Sequence, residues 1–334
     1  MRYFSTFSGI GGFELGIGER HECVGFSEID RYATQIYQEH FPNHKNYGDI
    51  KLVRAYDLPD FDLLVGGFPC QSFSVAGKRG GFEDTRGTLF FEIARIIRKK
   101  QPRLLCLENV KGLLSHDGGR TFSVIVNTLD ELGYDVQWQV LNSKDFGVPQ
   151  NRERVYIVGH LRGTPRPQVF PIGYDAEIPH EEGEAGEGRA QTEISHTLRG
   201  PNIKADQVFI VHNVYGGFGE KEIREFHDYS PTIRTPQGGG HIPMVVQRPR
   251  GKNKGSSSAI CPTITGKSFE HNNTLGGVRR LTPTECERLQ GFPDSWTASV
   301  SDTQRYKTLG NAVTVNAVRA VMKRLLCKRK TGSR

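Results

Sequence analysis

The sequence predicts an α/β fold, a parallel sheet covered by helices on both faces, with a smaller second domain of mostly β and irregular character. Three observations carry this. From residue 2 to about 160, short apolar runs alternate with helical stretches; beyond residue 161, prolines, glycines and short β-like pieces replace the helices; near Thr282, helical signals return. The expected organisation is a first domain over 1–161, a second over 162–277, a segment over 278–326 that rejoins the first, and a basic tail over 327–334.

Strands are expected at Tyr3–Phe7, Cys23–Ser27, Leu63–Val65, Leu104–Leu107, Val136–Leu141 and Val155–Val158. Most are continuous apolar runs, as strands buried on both faces require. Between them, Asp30 can accept the free amides that open a helix over "RYATQIYQEHF", and Thr88 stands ready ahead of "LFFEIARIIRKK". A third helix, Thr121 to Leu132, stops at Gly133. "TPTE" at 282–285 joins an N-cap Thr, a first-turn Pro and Glu285 at the capping-box position, and a last helix is expected from Asn311 to about Leu326.

Composition narrows the class. At 334 residues the chain can bury a full α/β core, and no apolar run approaches the ~20 residues that cross a bilayer. The N-terminus reads as strand and glycine turn rather than signal peptide, so a soluble cytoplasmic protein is expected, with no membrane partner. Six scattered cysteines, Cys23, Cys70, Cys106, Cys261, Cys286 and Cys327, contain no C-x-x-C pair, which argues against structural zinc and a disulfide framework; no metal is expected. The formal charge of +7 suits a polyanionic partner. Basic residues cluster in "QRPRGKNKG" (247–255), equally readable as a solvated loop or as phosphate contacts.

The chemistry concentrates at the carboxyl ends of the expected strands, where open α/β sheets bind ligands. "FSGIGGFELG" (7–16) follows the first strand, and its glycines let a ligand approach the backbone, although they can also be purely conformational. Glu28, ending the second strand, is placed to accept ribose hydroxyls, and Asp49 of "YGDI" to accept an adenine amino group. Together they suggest a nucleoside cofactor. Cys70 follows Leu63–Val65 in "GGFPCQSFS", and Glu108 ends "RLLCLENV". A free cysteine is more often a small buried hydrophobe, but a carboxylate delivered to the same edge tells for function. A thiol and a carboxylate beside a nucleoside suit methylation of carbon 5 of cytosine: thiolate addition at carbon 6 makes carbon 5 nucleophilic, and a proton donor at N3 stabilises the developing charge.

In order and spacing, "FSGIGGFE", "SEID", "GDI", "GGFPCQSFS", "ENV", "VPQNRERVYIVG", "RRLTPTECERLQGFPDSW" and "LGNAVTVNAV" resemble the motifs of bacterial and phage DNA (cytosine-5) methyltransferases. The resemblance covers 1–160 and 278–326. It implies a Rossmann-like, S-adenosylmethionine-dependent methyltransferase sheet, with 162–277 as a target-recognition domain, and a monomer acting on duplex DNA and releasing S-adenosylhomocysteine. It makes Cys70 the nucleophile and Glu108 the holder of the cytosine's N3 and amino edge, with Arg152 and Arg154 holding the base and its backbone. Phe7, Gly9, Ile10, Gly11, Gly12, Glu28, Ile29, Asp49, Ile50, Pro69, Asn311 and Ala312 become the cofactor contacts. Expected DNA contacts are Gln71, Ser74 and Arg86 in the catalytic loop, and Thr232, Gly239, Arg248, Arg250, Lys252 and Thr263 in the middle region. Thr232-Ile233 and Thr263-Ile264 both remain candidates for the family's Thr-Leu element.

Two departures stand out: Ile29 occupies a position where many members stack an aromatic ring on the adenine, and Ala76 one where some members carry serine. Two rivals are weighed. A transfer-RNA cytosine-5 methyltransferase has almost the same core, but the long middle region argues for duplex DNA. A cysteine hydrolase pairing Cys70 with a histidine such as His116 leaves Glu28, Asp49 and the glycine turn without a task.

Overall fold

The computed structural model describes residues 1–69, 89–165, 167–172 and 281–327, and the backbone of five short strand segments, 208–211, 224–227, 230–231, 244–246 and 278–280. The chain divides into two compact units. The first comprises Met1–Phe146, Glu153–Pro179 and Ala312–Arg334; the second comprises Gly147–Arg152 and His180–Asn311.

The first unit is built on β1 (Arg2–Thr6), α1 (Gly12–Ile17), β2 (Glu22–Ser27), α2 (Arg31–His40), β3 (Leu63–Gly67), α3 (Leu89–Lys100), β4 (Leu104–Val110), α4 (Arg120–Glu131) and β5 (Tyr134–Asn142). In the second unit lies β6 (Gln150–Asn151); β7 (Glu153–Leu161) returns to the first. The main sheet runs β2-β1-β3-β4-β7-β5. Here the expectation of a parallel sheet is corrected to a mixed one: β1, β2, β3 and β4 are parallel, but β7 is antiparallel to both β4 and β5. The stretch between β5 and β7 contains no crossover α-helix, so the chain turns back and inserts β7 between β4 and β5.

Side chains alternate across this sheet as the pleat demands. Phe4, Leu64, Leu105, Leu107, Val155 and Ile157 face one core with Phe90, Ile93, Ile96 and Ile97 of α3 and Ile125 and Leu129 of α4. Tyr3, Leu63, Val65, Leu104, Cys106, Tyr156 and Val158 face the other. That second core is closed by Phe13 and Ile17 of α1 and by Val318, Val321 and Met322 of the last helix, α7 (Val315–Leu325). Each fully buried aliphatic side chain contributes about 1.5–3 kcal/mol, so both faces need their helices. Gly16 permits the closest approach between α1 and α7: a Cβ there would lie 2.4 Å from Val318 Cγ1. Cys106, fully buried in the sheet, fits the inert hydrophobe description of a free cysteine, and burial pushes its thiol far up.

The signals at Asp30, Gly133 and Thr282 hold, while Thr88 lies outside the described residues. Asp30 caps α2 by accepting from Tyr32 N and Ala33 N. Gly133, φ 93°, follows α4. In the second unit Thr282 and Glu285 close a capping box on α5 (Pro283–Gln290). The expected helix from Asn311 is instead two helices: α6 (Asp302–Asn311) ends at Asn311, and α7 starts after Thr314.

The boundaries drawn by packing differ from those read from composition. Residues 167–172 stay with the first unit because Gln137 and Gln139 of β5 clasp their backbone. Gln137 Nε2 donates to Pro167 O and its Oε1 accepts from Val169 N; Gln139 Nε2 donates to Ile172 O and its Oε1 accepts from Ile172 N. Conversely, α5 and α6 belong to the second unit. Gln290 Nε2 reaches Leu309 O, Tyr306 Oη reaches Leu281 O, and the Glu287 side chain, fully buried, accepts from Thr297 N, Ser295 N and the Arg305 guanidinium. The return to the first unit therefore begins at Ala312 rather than 278. The second unit also holds the four-stranded antiparallel sheet β12-β11-β8-β9 (Val278–Arg280, Met244–Val246, Val208–Val211, Arg224–His227), and β6 pairs in parallel with β10 (Ser230–Pro231).

Candidate active site

Because β1 to β4 are parallel and β7 is antiparallel, the ends of the first four and the start of the fifth meet at one sheet edge. After β1 the chain reverses sharply: Phe7, Gly9 and Gly11 have φ of 52°, 56° and 90°. Phe7 is the costly member, since a side chain disfavours the left-handed region, and such strain is retained where a site needs it. Nothing lies within 4 Å of a Cβ built on Gly9, so its backbone faces open space that a ligand can enter.

Glu28, following β2, turns back onto this loop. Its Oε2 accepts from Gly9 N at 2.9 Å, and its Oε1 accepts from Ile29 N and Asp30 N, each at 2.8 Å. A carboxylate oxygen carries two lone pairs, so acceptor capacity remains for a ligand. Asp49 is half-buried, with Oδ1 accepting from Lys51 N. Ile29 is 74% exposed, whereas Ile10, Ile50 and Ala312 are buried. Gly11 and Gly12 are likewise buried, and Pro69 is exposed.

At the end of β4, Glu108 is only 7% exposed, and its register partner on β7 is Tyr156, two residues beyond Arg154. Arg154 Nε lies 3.1 Å from Glu108 Oε1, and both side chains are largely buried. This pairing holds the carboxylate in position from across the strand pair. On its other side a Cβ at Gly67 would stand 3.0 Å from Glu108 Oε2, so any larger residue at the end of β3 would press on the carboxylate. Asn109, 2% exposed, donates from Nδ2 to Phe68 O at 2.9 Å. It thereby pins the backbone two residues before Cys70. No task for Asn109 is expected from the sequence; its place beside Glu108 in "ENV" is the signal that points to it.

The two arginines expected to hold the base and its backbone have different partners. Arg154 pairs with Glu108 in the first unit, while Arg152, 2% exposed, donates from both terminal nitrogens to Gly310 O in the second. Asn311, next to that carbonyl, is an exposed residue ending α6. Cys70, Gln71, Ser74 and Arg86 lie outside the described residues, as do Thr232, Gly239, Arg248, Arg250, Lys252, Thr263 and Ala76. His116, the base a hydrolase would use, is hydrogen-bonded through Nδ1 to Thr121 Oγ1 at 2.7 Å.

A family model described as C-5 cytosine-specific DNA methylase matches residues 1–327. The chain belongs to this family. M1.ScrFI, a type II methyltransferase of Lactococcus lactis subsp. cremoris, is 39% identical, covering 97% of this chain and 78% of the relative. M.HpaII, a type II methyltransferase of Haemophilus parainfluenzae, is 39% identical, covering 98% and 89%. Among solved structures, the Dnmt2 methyltransferase of S. pombe superposes with a TM-score of 0.60 at 20% identity over 98% of each chain, a likeness of fold. In this DNA methylase the mixed sheet, with its glycine turn and the edge bearing Glu108 and Arg154, is the methyltransferase fold expected from the motifs. Among the described residues no helix is long and apolar enough to cross a membrane.

Proposed function

We propose that this DNA methylase transfers a methyl group from S-adenosyl-L-methionine to carbon 5 of a cytosine flipped out of a specific duplex sequence, through a covalent Cys70 adduct at carbon 6. The observation that supports this most directly is the buried Glu108–Arg154 pair beside the Phe68 carbonyl held by Asn109, which brings an anchored carboxylate and the approach to Cys70 to one sheet edge. The open backbone at Gly9, together with Glu28 and Asp49, fits an adenosyl group, with Phe7, Gly11, Ile29 and Pro69 around it.

Cys70, as thiolate, adds to carbon 6, and the ring electrons move toward carbon 5 and N3. Glu108 gives a proton to N3 and holds the amino edge, while Arg154 fixes the carboxyl group from Oε1. Bound S-adenosyl-L-methionine supplies the methyl group that carbon 5 takes up and is left as S-adenosyl-L-homocysteine. When water takes the hydrogen on carbon 5 as a proton and Glu108 takes back the proton on N3, the carbon 5–carbon 6 double bond reforms and Cys70 departs with the electron pair of the carbon–sulfur bond. Arg152, which donates from both terminal nitrogens to Gly310 O, is the other arginine assigned to holding the base and its backbone.

Gln71, Ser74 and Arg86 serve as catalytic-loop contacts to DNA. Thr232, Gly239 and Thr263 serve base recognition, while Arg248, Arg250 and Lys252 bind phosphates. The family model's description and the type II names of the relatives favour DNA over transfer RNA and a restriction-modification setting; in this reading the enzyme acts as a monomer in the cytoplasm. Duplex DNA with 5-fluorocytosine at the target and S-adenosylmethionine should yield a stable protein–DNA adduct, because fluorine cannot leave as a cation. Cys70→Ser should abolish that adduct and keep DNA binding; an undiminished adduct overturns the assignment.

A further inference from the structure

Glu28 and Asp49 come from separate segments, and a ligand that touches both depends on the distance between them. One side chain spans that gap. Residues 45–47 run beside the end of β2, with Phe26 N donating to Lys45 O, Tyr47 N donating to Phe26 O, and Phe26 bridged in parallel to Asn46. From there the Asn46 amide reaches in both directions. Its Oδ1 accepts from Glu28 N at 3.3 Å and from Gly48 N at 2.8 Å; its Nδ2 donates to Glu28 O at 3.1 Å and to Thr34 Oγ1 at 3.4 Å. Asn46 thus grips both backbone polar groups of Glu28 and the amide immediately before Asp49, using its acceptor and both donors.

The arrangement continues into the glycine turn. Glu28, held through its peptide by Asn46, holds Gly9 N with its carboxylate. Gly48 is tied a second time, its carbonyl accepting from Ser27 Oγ at 2.6 Å. Three segments that face the adenosyl site are therefore connected through one amide, which itself does not need to touch the ligand.

We propose that Asn46 is the positioning residue of the cofactor site, setting the separation of Glu28 from Asp49 so that ribose hydroxyls and the adenine amino group are accepted together. This rests on the cofactor reading above. Asn46→Ala removes all four bonds and leaves the Ser27–Gly48 tie. Asn46→Asp keeps the acceptor for Gly48 N and Glu28 N but sets a carboxylate oxygen against Glu28 O, so it loosens Glu28 at its carbonyl while Gly48 stays held.

The test uses the full chain and S-adenosylhomocysteine as probe, with calorimetric affinities for it and for its 2′-deoxy analogue. In the wild type, losing the hydroxyl accepted by a carboxylate should weaken binding about tenfold or more. In Asn46→Ala, S-adenosylhomocysteine should bind about tenfold more weakly, and the deoxy penalty should shrink to about threefold or less. The KM for S-adenosylmethionine should rise while kcat at saturation stays within about twofold, a split that mere loss of folded enzyme would not give. Asn46→Asp should show the reduced deoxy penalty even if Asn46→Ala folds poorly. An undiminished deoxy penalty in both variants, or a fall in kcat with KM unmoved, overturns the positioning role alone. Absence of any S-adenosylhomocysteine binding by the wild type overturns the cofactor reading itself.

Discussion

Glu14 offers a measurable consequence of burying a carboxylate behind the glycine turn. It lies in the first turn of α1, 3% exposed, and its Oε1 accepts a hydrogen bond from Tyr37 Oη at 3.1 Å. Burial pushes its pKa from the ordinary 4.5 up to about 7, against the pull of the hydrogen bonds it accepts. Between those values the folded protein binds a proton that the unfolded chain does not. The associated stability is fully present below pH 4.5 and is lost as pH rises through 7, a change of about 3 kcal/mol. Around Glu14, Cys23 is raised to about 12 and the Tyr3 and Tyr37 hydroxyls are raised further, chiefly by burial, so none ionises in this window. His44, bonded through Nδ1 to Tyr37 Oη, is lowered by burial and therefore acts in the opposite sense, adding stability as pH rises toward 6.5. Glu14→Gln keeps the shape and the acceptor for Tyr37 but cannot titrate, so the difference between the two proteins isolates Glu14. Urea unfolding followed by circular dichroism at pH 5, 6, 7 and 8 should show the variant gaining on the wild type by about 2–3 kcal/mol across the series. A difference that stays flat within about 0.5 kcal/mol would refute the reasoning, because it would mean the carboxylate is solvated or already ionised in the fold.

Three further outcomes follow from the geometry. Glu108→Gln leaves an amide beside Arg154 that cannot give up a proton to N3; methyl transfer should fall by about 10²-fold or more while DNA affinity in a gel-shift assay changes by less than about threefold. Arg305→Met strands the fully buried Glu287 side chain, whose three other donors are Thr297 N, Thr297 Oγ1 and Ser295 N. Urea unfolding should record a loss of about 3 kcal/mol, and adding Glu287→Gln should recover part of it. A chimera that takes 173–277 from a relative of different specificity keeps the Gln137 and Gln139 clasps. One joined at 162 breaks them, so the first should be the more soluble and should methylate the donor's target in bisulfite sequencing.

Most strands were legible because they are runs too apolar to lie anywhere but between two helical layers, and the helix starts because Asp30 and Thr282 carry the acceptors that free amides need. Strand direction was not legible. Residues 153–161 read the same whether the strand runs with or against its neighbours, and only the absence of a crossover helix after β5 hints at the reversal. The division into units escaped for a related reason. Composition changes at residue 161, but the boundary is decided by side chains such as Gln137 and Gln139, whose partners are some 30 residues away and whose type suggests only an exposed face.

The site shows the same asymmetry between groups that perform chemistry and groups that hold them. Glu108 could be singled out because a carboxylate ending a buried strand is expensive without a task. Asn109 and Asn46 could not, because an amide in a turn is common and its value depends entirely on which backbone atoms it meets. Asn109 meets Phe68 O, and Asn46 meets both polar groups of Glu28. Each couples a residue assigned to chemistry to a loop from another part of the chain, so removing either should leave the acid or thiol present but misplaced. The kinetic signature should then follow what is displaced: for Asn46, weaker cofactor binding at nearly constant kcat; for Asn109, whose amide restrains the approach to Cys70, a lower kcat at nearly constant cofactor KM.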